Sequence, residues 1–265
     1  MKFFNKTLFG LEIKRSLKGL LVWSFSLAIT MYLVIILFPM VKDMYAAIPE
    51  EFYDIMNSFG GLPDTIMEYF ATEGAMMLQI FGALFAVLEG FNAIYKDEKE
   101  KTVESLYSLP YPRSTFYFTK LIKITFNIVV FSLINTLFCV IGFITVKESI
   151  DVGLFVIFSV LNTVMFLIIG YLGFVLACFL KSSSKNMIAI AIPFPFYIIS
   201  VISFMTNNEW LKKLQYITPF TFSNPIEILK NDFSFEWISF VVFVGLTIVG
   251  LVVSYTLFKK REFIV

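Results

Sequence analysis

The chain has 265 residues, 58% of them hydrophobic and 15% charged, with 33 phenylalanines, no histidine and a mean hydropathy of +0.82. Soluble domains run at roughly 45–50% apolar and about 25% charged residues, so a water-soluble globule is excluded and the composition is that of a membrane protein. The formal charge of +1 offers no basic excess to a nucleic acid, and the lack of histidine removes Ser-His-Asp, Cys-His and His-x-x-Glu-His chemistry.

Residues 3 to 18 form a candidate interfacial helix. Phe4, Leu8 and Leu11 lie on one side, but Arg15 and Lys18 fall near the same face and Phe9 and Ile13 oppose it, so its amphipathicity is poor. A run of 23 residues follows between Lys18 and Lys42, longer than the roughly 7–15 residues of a signal-peptide core, and we read it as a retained span. The segment 42 to 73 is acidic (Asp43, Glu50, Glu51, Asp54, Asp64, Glu68, Glu73) and is expected to be partly helical, with a break at Gly60-Gly61-Leu62-Pro63. Residues 74 to 95, bounded by Glu73 and Lys96 and interrupted only by Glu89, make a second span.

After span two, Thr102 is placed to cap a short helix, Glu104 sits in its first turn, and Pro110 with Pro112 ends it. Val103, Leu106 and Tyr107 share one face of this roughly two-turn helix, so the sequence predicts a docking element. The alternative is a solvated, charge-mixed loop in which Asp97 and Lys101 merely support a helix. Ser114 or Thr115 is expected to cap span three, 23 residues between Lys123 and Lys147. Spans four, five and six follow, with 29 residues between Asp151 and Lys181, 23 between Lys185 and Glu209, and 22 between Glu236 and Lys259. Residues 147 to 151 and 181 to 185 are short joints, making spans three, four and five antiparallel neighbours. Residues 207 to 236, with Pro219 and Pro225, are expected to hold two short helices or re-entrant turns. Cys139 and Cys178 lie inside apolar runs, where free cysteine behaves as a small hydrophobe.

The prediction is an all-α polytopic membrane protein of six spans: one membrane domain over residues 1 to 265, divided into an N-terminal segment (1–18), a membrane region (19–258) and a tail (259–265). No internal repeat or soluble domain is visible. If both termini are cytoplasmic, the inside segments hold 16 of the 21 basic residues, and this asymmetry sets N-in and C-in.

Glu89 near the end of span two invites either structural anchoring, by pairing with a basic group of the N-terminal segment, or a proton-relay role. Gln79, Asn127, Asn135 and Asn162 either join helices by hydrogen bonds or line a pathway. Pro193 and Pro195 should kink or break span five, which marks a moving part or simply reflects the frequency of proline in membrane helices.

The acid Glu89, the run Glu98-Lys99-Glu100-Lys101-Thr102-Val103-Glu104-Ser105-Leu106, then Ser108-Leu109-Pro110, Arg113 and Lys120 together resemble the loop pattern of type-2 ABC-transporter permeases. Leu11-Glu12-Ile13-Lys14-Arg15, Ile217-Thr218-Pro219-Phe220 and Lys259-Lys260-Arg261-Glu262 agree with it. Lys101 departs from the usual Gly, and Tyr111-Pro112-Arg113-Ser114 from the usual Pro-x-Ser-Arg order.

The resemblance implies a cytoplasmic coupling helix, carried by Thr102, Val103, Glu104, Leu106, Tyr107 and Arg113, that docks in a cleft of a separate ATPase subunit. It further implies a second permease, identical or paralogous, and export of a hydrophobic or amphipathic peptide, lipid or antibiotic across the plasma membrane of a bacterium. It makes residues 3 to 18 an elbow helix. No Gly-x-x-x-x-Gly-Lys-Ser/Thr phosphate cradle occurs, so ATP and Mg would belong to the partner and this chain would carry no cofactor and no catalytic or metal site. The other readings are a secondary transporter or channel working without an ATPase and, third, an intramembrane enzyme. The lack of repeat symmetry and of mid-span charges disfavours the former, and the lack of histidine the latter.

Overall fold

The computed structural model describes residues 4–46, 63–100, 102–180, 187–206, 208–229 and 235–261, which are helical apart from short joints, with no strand among them. Six helices in it are long and apolar enough to cross a bilayer: Lys6–Ile36, Ile66–Lys99, Arg113–Val146, Val152–Phe179, Met187–Phe204 and Trp237–Lys260. These are spans one to six.

Span one starts on Asn5, whose side-chain oxygen accepts from the backbone N–H groups of Thr7 and Leu8, and it continues unbroken to Ile36. The N-terminal segment expected as a separate interfacial helix is therefore the first turns of span one. Nothing between Lys6 and Lys18 interrupts the hydrogen-bond ladder, and Glu12 is turned into the protein rather than toward water. A second helix, Phe38–Ala46, follows Leu37. Gly60, Gly61 and Leu62 of the expected break lie outside the described residues.

Span two begins earlier than hydropathy indicates, at Ile66, and carries a π-helical turn over Phe70–Ala75. Span three begins at Arg113 with Pro112 as its N-cap, ahead of the expected Ser114 or Thr115, because a proline has the fixed φ a helix start needs and no N–H to leave unpaired. Asp151 caps span four by accepting from Leu154 N–H. Span five is split. A short piece, Met187–Ile190, gives way at Ala191 and Ile192 to Pro193–Met205, so both prolines sit in a first turn, where a missing N–H costs nothing. Beyond it the chain forms short helices at Glu209–Lys212, Lys213–Ile217, Thr221–Ser223 and Pro225–Ile228, and Phe220, Phe222 and Ser223 turn back into the core.

Span one packs along span three, and span two along span four, with span six against span four. Span two is central: 72% of its most apolar window is buried, against 17% in span five and 22% in span six. The phenylalanines do much of the filling. Phe85 stacks on Phe131 with centroids 4.4 Å apart, and Phe70 meets Phe143, Phe155 and Phe158 edge-on at 5.4 to 6.1 Å.

Spans two and four touch backbone to backbone. A Cβ on Gly90 would lie 1.8 Å from the Gly170 carbonyl oxygen, and one on Gly173 2.4 Å from that of Val87, so only glycine permits this approach. Gly90→Ala is expected to lower stability by at least the about 1–3 kcal/mol of an overpacked core. Gly245→Ala, where nothing lies within 4 Å, should leave it unchanged or slightly raised. Melting temperatures of the purified variants in detergent check both.

Candidate functional site

One end of the bundle holds a connected set of buried charges, built from helix spacing. Glu12 and Arg15 stand three apart on span one, and Lys120, Lys123 and Asn127 share a face of span three, so each helix turns a short polar stripe toward the same end of span two. Lys120 is 1% exposed, and its Nζ lies 2.7 Å from both Glu12 Oε1 and Asp97 Oδ2. The other Asp97 oxygen accepts from Arg15 Nη1 at 2.7 Å, while Arg15 Nη2 donates to Glu100 Oε2 at 3.0 Å and Thr102 Oγ1 at 3.4 Å.

Two turns up span two, Glu89 pairs with Lys123 and accepts from Asn127 Nδ2 at 2.6 Å, and that amide also donates to Ser16 Oγ at 2.9 Å. A cavity of about 150 Å³ runs beside these groups, bordered by Glu12, Arg15, Glu89, Lys96 and Lys123.

The next residue of span two faces the other way. Glu98 Oε1 accepts from Arg261 Nε at 2.9 Å, and Arg261 also donates to the carbonyls of Ala177, Cys178 and Leu180, where the C-terminal dipole of span four favours a cation. Arg113 Nη1 in turn donates to the Lys259 and Arg261 carbonyls at 2.7 and 2.8 Å. Asp97 and Glu98 thereby tie span two to spans one and three on one side and to spans four and six on the other.

The short helix between spans two and three forms over Val103–Tyr107 and is anchored to that junction: Thr102 N–H donates to Asp97 O at 3.0 Å, and Leu106 N–H to Thr102 O at 2.9 Å. Val103 and Leu106 are each 6% exposed, and the Tyr107 ring packs on Phe116 at 4.8 Å and Phe258 at 6.2 Å. Burial pushes the Tyr107 phenol well above its ordinary range, so it stays neutral.

The apolar face that sequence spacing offers to a partner is therefore turned into the protein itself, with Tyr107 packed on spans three and six. What faces outward is the turn that follows, with Leu109 38% and Tyr111 36% exposed. Lys101 and the side chain of Glu104 lie outside the described residues.

The remaining candidates divide. Glu89 is paired, but with span three rather than the N-terminal segment. Gln79 and Asn127 join elements, Gln79 by donating to Ser223 O at 2.6 Å, whereas Asn135 Nδ2 donates within its own helix to Phe131 O at 2.8 Å. Pro193 and Pro195 lie in the first turn of the second piece of span five. Sequence reasoning gave Asp97 only a local pairing with Lys101, quoted Glu12 and Glu98 only as part of the family pattern and used Lys123 only as the edge of a span; the signal for their meeting was a count of acids and bases clustered at one end of three spans.

The chain matches the family model of the ABC-2 family transporter proteins over residues 7–263. It belongs to that family. A comparison with curated proteins found no match. The ABC-2 assignment makes the chain a multi-pass membrane transport subunit, the permease component of an ABC transporter.

In the folded permease, Lys120→Met leaves Glu12 and Asp97 without their shared cation and should cost about 3–5 kcal/mol, the usual result of breaking a buried pair from one side. Glu12→Gln, which leaves Lys120 on Asp97, should cost clearly less. Thermal unfolding in detergent measures the order, and equal losses would contradict it.

Proposed function

We propose that the chain is the permease of an ATP-driven exporter, working as a pair with a second copy or a paralogue, each bound on the cytoplasmic side to a separate ATPase subunit. The observation that carries this reading is the join of the loop helix to the charged junction: Thr102 is bonded to Asp97 and Arg15, and both belong to the network through Lys120. A push on that loop is delivered to spans one, two and three together. The loop's inner face is its attachment to the bundle, and Leu109, Pro110 and Tyr111 are the surface that meets the ATPase. The excess of basic residues at this end supports its being cytoplasmic, with both termini on that side.

Coupling then requires that the loop make different contacts with the ATPase in its ATP-bound and ATP-free states, since only a differential free energy moves the equilibrium between inward-open and outward-open bundles. The substrate class that fits a pathway lined by apolar spans is hydrophobic or amphipathic: a peptide, a lipid or an antibiotic leaving a bacterial cell.

Co-purification of the tagged permease from its native membrane tests the partnership. A nucleotide-binding subunit is expected to come down with it, and transport by the permease alone would refute the reading. Tyr111→Glu combined with Leu109→Glu is expected to reduce ATPase recovery at least tenfold, the loss of about 1.4 kcal/mol or more of interface energy, with an unchanged melting temperature. Leu106→Glu should instead lower the melting temperature.

A further inference from the structure

Spans three and four each carry the pattern Phe-Ser-x-x-Asn-Thr, as Phe131-Ser132-Leu133-Ile134-Asn135-Thr136 and Phe158-Ser159-Val160-Leu161-Asn162-Thr163. Ser, Asn and Thr at positions i, i+3 and i+4 lie on one face of a helix. The two copies run in antiparallel helices and meet: Ser132, Asn135, Thr136, Ser159, Asn162 and Thr163 all line one cavity of about 10 Å³, with phenylalanines 70, 155, 158 and 166 also in its wall. Asn135 is the midpoint of the run between Lys123 and Lys147, which puts this polar pocket at the centre of the membrane domain.

The hydrogen-bonding groups around it are unevenly used. Ser159 Oγ donates to Phe155 O at 2.9 Å, Thr163 Oγ1 to Ser159 O at 2.7 Å, and Asn135 Nδ2 to Phe131 O at 2.8 Å, so these donors turn back onto their own helices. Among the buried oxygens of this lining, Ser132 Oγ, Asn135 Oδ1 and Asn162 Oδ1 have no hydrogen-bond partner among the described residues. Their residues are only 8%, 1% and 4% exposed. At this depth lipid supplies no water, so unsatisfied oxygens on both helices are costly and call for an occupant that donates to them.

We propose that the paired Phe-Ser-x-x-Asn-Thr segments form a binding site for a single water molecule. It donates one hydrogen each to Asn135 Oδ1 and Asn162 Oδ1 and accepts from the Ser132 hydroxyl. The size and the valence both fit. A cavity of roughly 10–15 Å³ with two to four polar partners holds one water, whose two donors and free lone pairs match two carbonyl oxygens and a hydroxyl. A bare monovalent cation would bring a charge to mid-membrane with no carboxylate in the lining to balance it. The site joins spans three and four by exchangeable hydrogen bonds, in contrast to the backbone contact that locks span two to span four, and it stands independently of the exporter reading.

A density map of the full-length protein in lipid nanodiscs, at a resolution that shows ordered waters and with choline as the only small cation, tests the site. One peak about 2.5–3.0 Å from both Oδ1 atoms and from Ser132 Oγ is expected. Absence of a peak, with the two amides bonded directly to each other, overturns the proposal, and so does a peak that forms only when sodium or potassium is added. Asn135→Leu and Asn162→Leu give a second readout. Each alone should lower the melting temperature by stranding the opposite amide, and the double variant should lose less than the two single losses combined. Strictly additive losses would overturn it.

Discussion

An ammonium group taken out of water is held charged only if negative partners come with it, and at Lys120 they come from two different helices. Its Nζ is shared between Glu12 of span one and Asp97 of span two, and Asp97 passes its second oxygen to Arg15. Burying such a group alone costs several kcal/mol, so the three helices must meet at this level or leave a charge stranded. Apolar packing could not specify that meeting. Lipid chains are as apolar as the side chains facing them, and helix association in a bilayer rests on close contacts and polar groups rather than on expulsion of water. The charges set the register at one end of the bundle, and the Gly90, Gly170 and Gly173 contacts set how closely spans two and four approach.

Span two is the member on which these constraints converge. Its last turn sends Asp97 toward spans one and three and Glu98 toward Arg261, which is seated on the carbonyls at the end of span four. The loop helix starts within five residues of this junction and is bonded to it through the backbone of Asp97. Spans five and six are the least buried and have long apolar flanks, so the rigid part of the molecule and its exposed part are distinct. The exporter role proposed above uses both: the stiff end takes the push, and the outer helices offer apolar surface to lipid or to a second permease.

Local signals were legible in the sequence. Six apolar runs, the short helix before Pro110, the break of span five at Pro193 and the short helices around Pro225 depend on hydropathy or on proline chemistry within a few residues. Which groups face each other was not. The face formed by Val103, Leu106 and Tyr107 could be seen by spacing, but spacing does not say whether a partner or the same chain covers it, and here Phe116 and Phe258 do. Lys120 and Glu12 lie 108 residues apart, and Arg261 and Glu98 163 apart, so no window reading joins them. The N-terminal segment misled for a related reason: Arg15 breaks amphipathicity only if it faces water, and it is paired with Asp97 instead.

Held by the junction around Lys120, the ends of spans one, two and three and the loop helix should move as one rigid piece. Spin labels on Lys14→Cys and Ser108→Cys, both exposed, with Cys139 and Cys178 buried, report on it directly. One narrow distance distribution is expected, the same in the nucleotide-free and ATP-trapped full complex, and a broad one when Lys120→Met is added. A distance that changes by several ångströms with nucleotide in the otherwise unaltered protein would contradict it.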